Sequence, residues 1–170
     1  MADIDIITNA SDAEIAAFIE QALRRALAVS EEPVEISVPG GSTPFPIMQA
    51  LVEADLDWSR ITVWPGDDRV VPEDHAASNT GKIRALFEPL GAHVATLTTM
   101  EQVPHFALGW LGMGADGHIA SLFPNTDPQV DDPEPIRRLT PDPLPPEAPF
   151  DRVTLTIPSL LDSDALMFVI

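Results

Sequence analysis

The sequence predicts a three-layer α/β fold in which a mostly parallel β-sheet lies between helices on both of its faces. Short apolar segments alternate along the chain with longer amphipathic ones, and polar or glycine-rich turns follow three of the apolar segments. Strands that alternate with helices favour parallel pairing, because a helix returns the chain to the edge where the next strand starts. The length of 170 residues and the 45% hydrophobic content allow one domain, residues 1–170, with a substantial core.

The first half of the chain predicts two helices, each with its own start signal. Ser11 and Glu14 form a capping-box pattern, and apolar residues at helical spacing follow it as far as Val29. Pro44 suits the first turn of the second helix, because an amide at that position would be unpaired in any case. The apolar face of that helix comprises Ile47, Met48, Leu51 and Val52. The strands predicted in this half are residues 34–38 and 61–64.

The second half continues the same alternation. Helices are expected over residues 75–87, from about Gly117, and as a short turn over 158–161. Strands are expected over residues 106–111, 153–157 and 165–170. Residues 128–149 contain eight prolines and no glycine, which is typical of a stiff, partly extended surface connection. A lid over a functional site is the alternative for this segment.

Composition limits the partners of this chain. With 27 acidic and nine basic residues the net charge is −18, which argues against nucleic acid or an anionic membrane as a partner. A small phosphorylated ligand remains compatible with this charge, since it needs only a local anion site. No segment is apolar over the length of a bilayer, and the first residues lack the features of a secretory signal, so we expect a cytoplasmic protein. The absence of cysteine excludes disulfides and thiolate chemistry.

The turn Gly40, Gly41, Ser42 and Thr43 is the first candidate binding element. A glycine pair between a strand and a helix exposes unpaired amides at the positive end of the helix dipole, and the two hydroxyls add donors. These features suit a phosphate group. The turn lacks the lysine of a P-loop and the spacing of a dinucleotide-binding loop. The alternative is an ordinary helix cap with Thr43 as the N-cap residue.

Asp67, Asp68 and Arg69 form the second candidate element, directly after the strand that ends near Trp64. One interpretation is a structural ion cluster that fixes a loop. The other is a guanidinium held by Asp67 or Asp68 and directed into a cleft, where it contacts substrate oxygens or orients a catalytic side chain.

The third candidate element contains Gly114, Asp116, Gly117 and His118, after the apolar segment 106–111. A histidine at a helix start is disfavoured as imidazolium, so His118 is expected to be neutral and able to accept a proton. Asp116 is placed to hold the imidazole or to polarise a substrate. The alternative is a buried structural histidine. The remaining histidines have no such setting, and no residues show the spacing of a metal site.

Three blocks in order along the chain resemble the signature blocks of the 6-phosphogluconolactonases. They are GGSTP at 40–44, DDRVVP with SN within 67–79, and GMGADGHIASLFP at 112–124, and RVTLTIP at 152–158 is similar to the family's late strand. The resemblance implies a Rossmann-like three-layer fold of the type found in sugar-phosphate isomerases and CoA-transferases. It also implies hydrolysis of 6-phospho-D-glucono-1,5-lactone to 6-phosphogluconate, in the oxidative pentose phosphate pathway, without metal or other cofactor.

The resemblance assigns roles residue by residue. His118 would activate water, Asp116 would help to place the lactone, and Arg69 would contact the substrate or His118. Gly40, Gly41, Ser42 and Thr43 would hold the phosphate, with Asp67, Gly114 and Gly117 also in the binding site. The partner implied is a small phosphorylated sugar lactone, and the expected oligomeric state is a monomer or a homodimer.

Two departures from the family pattern leave alternatives open. The family reads Asp-Glu-Arg where this chain has Asp67, Asp68 and Arg69. Relatives also carry a helical stretch near residues 100–105 and continue past the last strand, so we expect both segments to be absent here. A glucosamine-6-phosphate deaminase or isomerase is one alternative, although its glutamate is missing from the sequence after His118. A non-catalytic sugar-phosphate-binding relative is the other.

Overall fold

A computed structural model describes residues 3–170, which form an α/β structure. Its α-helices are α1 (Asp12–Val29), α2 (Pro44–Leu51), α3 (Asn79–Phe87) and α4 (Ile157–Leu161). Its strands are β1 (Val34–Val38), β2 (Ile61–Pro65), β3 (Asp67–Arg69), β4 (His93–Val94), β5 (Leu108–Leu111), β6 (Ile136–Leu139), β7 (Arg152–Leu155) and β8 (Leu166–Phe168). Within the described residues, no helix is both long enough and apolar enough to span a bilayer.

The central sheet contains five strands in the order β4-β2-β1-β5-β8, and every neighbouring pair is parallel. Alternate residues of its strands, such as Ile36, Val63 and Trp110, pack in one apolar cluster with side chains of α1, α2 and α3. Successive side chains of a strand point to opposite faces, so these three helices cover the same face of the sheet. The predicted α/β class with a mostly parallel sheet is confirmed.

The other face of the sheet differs from the prediction of a helical layer. It is covered by a small antiparallel sheet in the order β3-β7-β6, together with the short helix α4. Leu155 and Ile136 of the small sheet and Leu160 of α4 pack in a second apolar cluster with Trp64 and Leu111 of the central sheet. The second outer layer is therefore mainly β-structure.

Two segments predicted as loops are strands of this small sheet. Asp67–Arg69 pairs with β7, and Ile136–Leu139 pairs with β7 from within the proline-rich segment 128–149. Prolines flank β6 but do not interrupt it, so each of its residues retains an amide. The rest of the segment forms turns and irregular connections, as expected.

The N-terminal helix follows its prediction, whereas the third helix starts later than expected. Ser11 accepts a hydrogen bond from the Glu14 amide, and the Glu14 carboxylate accepts one from the Ser11 amide, which completes the capping box. Helix α3 begins at Asn79 instead of residue 75, because Ser78 caps it by accepting a bond from the amide of Gly81.

No helix begins at Gly117, which corrects the prediction for the third candidate element. Ala120 has a left-handed φ of 48°, a conformation that a right-handed helix cannot contain. Ile119 and Leu122 form an isolated antiparallel bridge around this turn. The segment therefore crosses the small sheet as a tight irregular loop, and His118 does not lie at a helix N-terminus.

Candidate active site

The small antiparallel sheet brings the second and third candidate elements together. Because side chains alternate along a strand, Asp67 and Arg69 of β3 share one face with Arg152 and Thr154 of β7. The loop that contains His118 lies on this face. The Ser121 amide donates to Thr154 Oγ1 at 3.2 Å, and the Ser121 hydroxyl donates to the Asp67 carboxylate at 2.5 Å. We refer to this side of the sheet as the histidine face.

Asp116 and Phe123 orient the imidazole of His118. Nδ1 of His118 lies 2.5 Å from Oδ1 of Asp116, which also accepts the His118 amide at 3.2 Å. A carboxylate only accepts, so Nδ1 carries the proton of this bond. The hydrogen bonds from His118 lower the pKa of Asp116, which keeps it ionised at neutral pH. The ring of Phe123 lies against the imidazole, with 4.6 Å between centroids and an interplanar angle of 33°.

The geometry leaves Nε2 of His118 available for chemistry. Within residues 3–170, no group hydrogen-bonds this nitrogen. The ring is held from one edge by Asp116 and from one face by Phe123, so its orientation is fixed while the second nitrogen remains free. Such an imidazole can accept a proton at Nε2 while the carboxylate stabilises the resulting cation.

The glycines of this loop shape it around the histidine. A β-carbon on Gly114 would overlap the His118 ring and would touch the Asp116 carboxylate, so only glycine fits there. The Gly114 amide donates to the His118 carbonyl at 2.8 Å, and the Gly117 amide donates to the Gly114 carbonyl at 2.9 Å. Both amides are used within the loop, which favours a conformational role over direct ligand binding.

Asp68 has a structural role, which corrects the expectation that an acidic neighbour holds Arg69. Its buried carboxylate accepts bonds from the Ser78 hydroxyl at 3.2 Å, from the Asn79 amide at 2.6 Å, and from both the amide and hydroxyl of Thr80 at 2.9 and 2.6 Å. It also accepts the backbone amide of Arg69 at 2.8 Å. Asp68 thus fixes the start of α3 to β3.

The guanidinium of Arg69 is not part of an ion cluster. Nη1 donates to the Ala77 carbonyl at 2.9 Å, and no carboxylate of the described residues lies within 4.0 Å of the guanidinium. Arg69 also borders a cavity of about 300 Å³ that His118 does not line. The charge of Arg69 is therefore available to an anionic ligand.

Arg152 is a site residue for which the sequence indicated no role. It is 3% exposed, and it lies directly opposite Arg69 in the register of β3 and β7. Its guanidinium donates to the carbonyls of Phe150 and Ala148 at 2.9 and 3.0 Å. Burial first, and then the charge of Arg69, lower the pKa of Arg152. Only the pairing register, which local sequence does not reveal, places it in the site.

The Gly40–Thr43 turn is connected to the histidine face through Asn79. Gly41 has a φ of 106°, and Thr43 occupies the N-cap position of α2 without a capping side-chain bond, so the cap interpretation lacks its hydrogen bond. The amide group of the buried Asn79 fills the space where Gly40 would carry a β-carbon, and its Nδ2 donates to the Asp67 carbonyl at 3.1 Å.

Asp67 links Asn79 to the loop that contains His118. Its carboxylate accepts the Ser121 hydroxyl, and burial raises its pKa. Among the described residues no direct hydrogen bond joins His118 to the Gly40–Thr43 turn. The contacts run instead from the turn to Asn79, then to Asp67, and then to the loop of His118.

The parallel sheet, the glycine turn after β1 and the Asp116–His118 pair after β5 define an α/β protein with its candidate site at the carboxyl ends of parallel strands, as is typical of α/β enzymes. A family model described as glucosamine-6-phosphate isomerases/6-phosphogluconolactonase matches residues 8–95 and 86–170. The chain belongs to this family, which confirms the resemblance seen in the sequence.

Curated relatives agree with this assignment, and a solved structure shows the same fold. The chain is 39% identical to the 6-phosphogluconolactonase of Pseudomonas aeruginosa over 83% of this chain and 67% of the relative. It is 32% identical to the 6-phosphogluconolactonase of Neisseria meningitidis over 74% of this chain and 63% of the relative. The structure of 6-phosphogluconolactonase from Thermotoga maritima shares the fold, with a TM-score of 0.80 at 24% identity over 95% of this chain and 80% of that one. The chain thus spans about two thirds of the length of these curated relatives.

Proposed function

We propose that this protein hydrolyses 6-phospho-D-glucono-1,5-lactone to 6-phosphogluconate, the lactonase reaction of the oxidative pentose phosphate pathway. The observation that carries the proposal is the imidazole of His118, held at Nδ1 by Asp116 and open at Nε2. The curated relatives named above support the same reaction, since both are 6-phosphogluconolactonases.

In the proposed reaction, Nε2 of His118 accepts a proton from water while the water oxygen attacks the lactone carbonyl. Asp116 stabilises the imidazolium that forms. The bond between the carbonyl carbon and the ring oxygen then breaks, and His118 returns the proton to that oxygen. Water is thereby added across the ester bond, and no metal or other cofactor takes part. A lactone is an activated ester, so a single base suffices without a covalent nucleophile.

The developing oxyanion and the phosphate of the substrate each require hydrogen-bond donors. We assign the developing oxyanion to the guanidinium of Arg69, which has no acidic partner among the described residues. We assign the phosphate to the exposed turn of Gly40, Gly41, Ser42 and Thr43, through amides and hydroxyls. Asp67 serves this arrangement indirectly, because its carboxylate bonds to Ser121 and so positions the His118 loop.

The alternative enzymatic function, a glucosamine-6-phosphate deaminase or isomerase, has weaker support. Residues 120–124 read Ala-Ser-Leu-Phe-Pro and supply no carboxylate for ring opening. Phe123 instead lies against His118. A non-catalytic binding role also has weaker support. Two side chains orient the His118 ring and leave one nitrogen free, which favours a catalytic role over binding alone.

Hydrolysis of freshly generated lactone tests the proposal, with the spontaneous rate subtracted. We expect the wild-type protein to accelerate hydrolysis, and the His118→Ala variant to lose about 10²- to 10⁴-fold of that acceleration, the usual contribution of a general base. Circular dichroism and melting temperature check that the variant folds. A folded wild-type protein that does not exceed the spontaneous rate would refute the lactonase function.

We further propose a cytoplasmic setting and a partner range limited to the small phosphorylated lactone. The net charge of −18 supports the exclusion of nucleic acid and of anionic membrane surfaces. We propose that the protein acts as one domain, as a monomer or a homodimer.

A further inference from the structure

Arg152 is a buried cation without an acidic partner. Its side chain is almost fully enclosed, and its guanidinium bonds to two backbone carbonyls, those of Phe150 and Ala148. Among the described residues, no carboxylate lies within 4.0 Å of it. Burial of an unpaired charge is unfavourable, and apolar side chains often fill such positions at lower cost. Packing alone therefore does not account for an arginine here.

The pairing register increases this cost. Arg152 lies directly opposite Arg69, and like charges at opposed positions of an antiparallel pair repel each other. Asp67 and Asp68 are close enough to influence Arg152, but the carboxylate of Asp67 bonds to Ser121 and that of Asp68 bonds to the start of α3. Neither carboxylate neutralises the guanidinium directly.

One aromatic ring, that of Phe123, lies between the contacts of Arg152 and those of His118. The Cζ atom of Arg152 lies 6.0 Å from the ring centroid of Phe123, within the range of a cation–π contact. The imidazole of His118 also lies against Phe123, with 4.6 Å between the ring centroids. The ring of Phe123 thus contacts both the guanidinium of Arg152 and the imidazole of His118.

We propose that Arg152 is a positioning residue for His118, acting through the ring of Phe123. The planar guanidinium is anchored by two carbonyls, so it provides a rigid support for the aromatic ring. The ring in turn fixes the face of the imidazole, while Asp116 fixes its edge. This role rests on the lactonase function proposed above, in which Nε2 of His118 must meet the attacking water in one orientation.

Replacement of Arg152 is expected to affect turnover and not substrate binding. Loss of the support would tilt the imidazole, while the Gly40–Thr43 turn and the bond from Arg69 to the Ala77 carbonyl remain in place. We therefore expect kcat to fall on the order of 10- to 100-fold, as for a small misplacement of a catalytic group, while KM stays near the wild-type value.

The test compares Arg152→Met, Arg152→Lys and Phe123→Leu with a matched control, Arg138→Met. Arg138 lies on β6 of the same sheet but faces the opposite side with Val153, and it pairs with Asp151 on the surface. Methionine retains the aliphatic volume of arginine, and lysine retains the charge without the planar fork. We expect all three test variants to lower kcat, with little recovery in Arg152→Lys, and we expect Arg138→Met to leave kcat unchanged.

A second readout does not depend on activity. We expect the ring of Phe123, 4.6 Å from the imidazole of His118, to shift the NMR resonances of the imidazole protons. The His118→Ala variant identifies these resonances among those of the four histidines. We expect Phe123→Leu to remove this ring-current shift and Arg152→Met to reduce it strongly. Arg138→Met is expected to preserve it.

The two readouts distinguish failure of this inference from failure of the proposed function. An active wild-type protein with a folded Arg152→Met variant that keeps both kcat and the His118 resonances would overturn the positioning role alone. A wild-type protein without lactonase activity would refute the proposed function, and the resonances would then decide whether Arg152 supports the ring. If the Arg152 variants do not fold, Phe123→Leu carries the test, and an unchanged kcat there would overturn the proposal.

Discussion

His118 and His105 both contact aspartates, but they differ in the nitrogen that each leaves open. His118 bonds to Asp116 through Nδ1 alone, at 2.5 Å. His105 is bonded at both nitrogens, to Asp162 at 2.6 Å and to Asp164 at 2.7 Å. The His105 side chain is the more exposed, at 52% against 30%, so exposure alone would select the wrong residue. The free nitrogen is what makes His118 the candidate base.

The charged groups around the two histidines also differ. Asp162 first, and then Asp164, raise the pKa of His105, which favours its protonated form. The resulting cation bridges the segment before β5 to the loop before β8, next to the bridge between Phe106 and Ser163. His118 instead shares its sheet face with the guanidinium of Arg69, which has no acidic partner among the described residues and suits the approach of an anionic substrate. His105 with Asp162 and Asp164 forms a structural contact, the His105 clasp, whereas His118 lies in the candidate site.

The largest effect on kcat is expected when the aspartate that holds His118 is replaced and the corresponding change at His105 serves as the control. Asp116→Asn keeps the size of the side chain but removes the charge that stabilises the imidazolium, and it no longer fixes the tautomer. We expect a loss of lactonase kcat on the order of 10²-fold or more, by analogy with histidine–aspartate pairs in hydrolases. Asp164→Asn, the matched control at His105, is expected to leave kcat unchanged. Equal effects of the two variants on kcat would remove the distinction between the histidines.

Local patterns in the sequence predicted the parallel sheet and the key loop residues. The capping box of Ser11 and Glu14, the strand before Gly40 and the glycine spacing around His118 are all signals contained within a few neighbouring residues. Gly114 is a clear case, because a side chain there would overlap the ring four residues later in the same turn. Features of this kind can be predicted because the interacting groups are close in sequence.

The features that were missed depend on partners far along the chain. Asp67–Arg69 is a strand only because β7 pairs with it, and Arg152 enters the site only through that register. Residues after Gly117 resemble a helix in composition, yet Ser121 bonds to Asp67 and Thr154, and these contacts hold Ala120 in a left-handed turn. Tertiary hydrogen bonds here override local helix propensity.

A smaller effect is expected when the charge of Arg69, on the same sheet face as the His118 loop, is removed. Arg69→Ala deletes a guanidinium that we assign to the substrate oxyanion, and a bond to a charged group is worth about 1.5–3 kcal/mol. We therefore expect kcat/KM to fall about ten- to hundredfold. The only hydrogen bond of that guanidinium within the described protein is to the Ala77 carbonyl, so stability should fall by about 0.5–1.5 kcal/mol.

Arg24→Ala on α1 is the control for Arg69→Ala. It removes an exposed guanidinium that pairs with Glu20 on the other side of the central sheet and should leave kcat/KM unchanged. A large fall in melting temperature with Arg69→Ala, without a specific loss of kcat/KM, would assign Arg69 to the fold and would leave His118 without a cationic neighbour that contacts substrate.

The smallest effect concerns stability at the His105 clasp. Because its pKa is raised in the folded protein, protonated His105 contributes stability that is fully present below the unfolded value of about 6.5 and is lost as pH rises through the folded value. The pair is exposed, so we expect at most about 1 kcal/mol. Urea unfolding of the wild type and of His105→Asn, from about pH 5.5 to 8.5, measures the difference in unfolding free energy. We expect this difference to be largest at the acidic end and to shrink with rising pH, while the lactonase kcat of the two proteins stays equal. A difference that grows with pH would mean that His105 is held neutral and that its two aspartates do not stabilise a cation there.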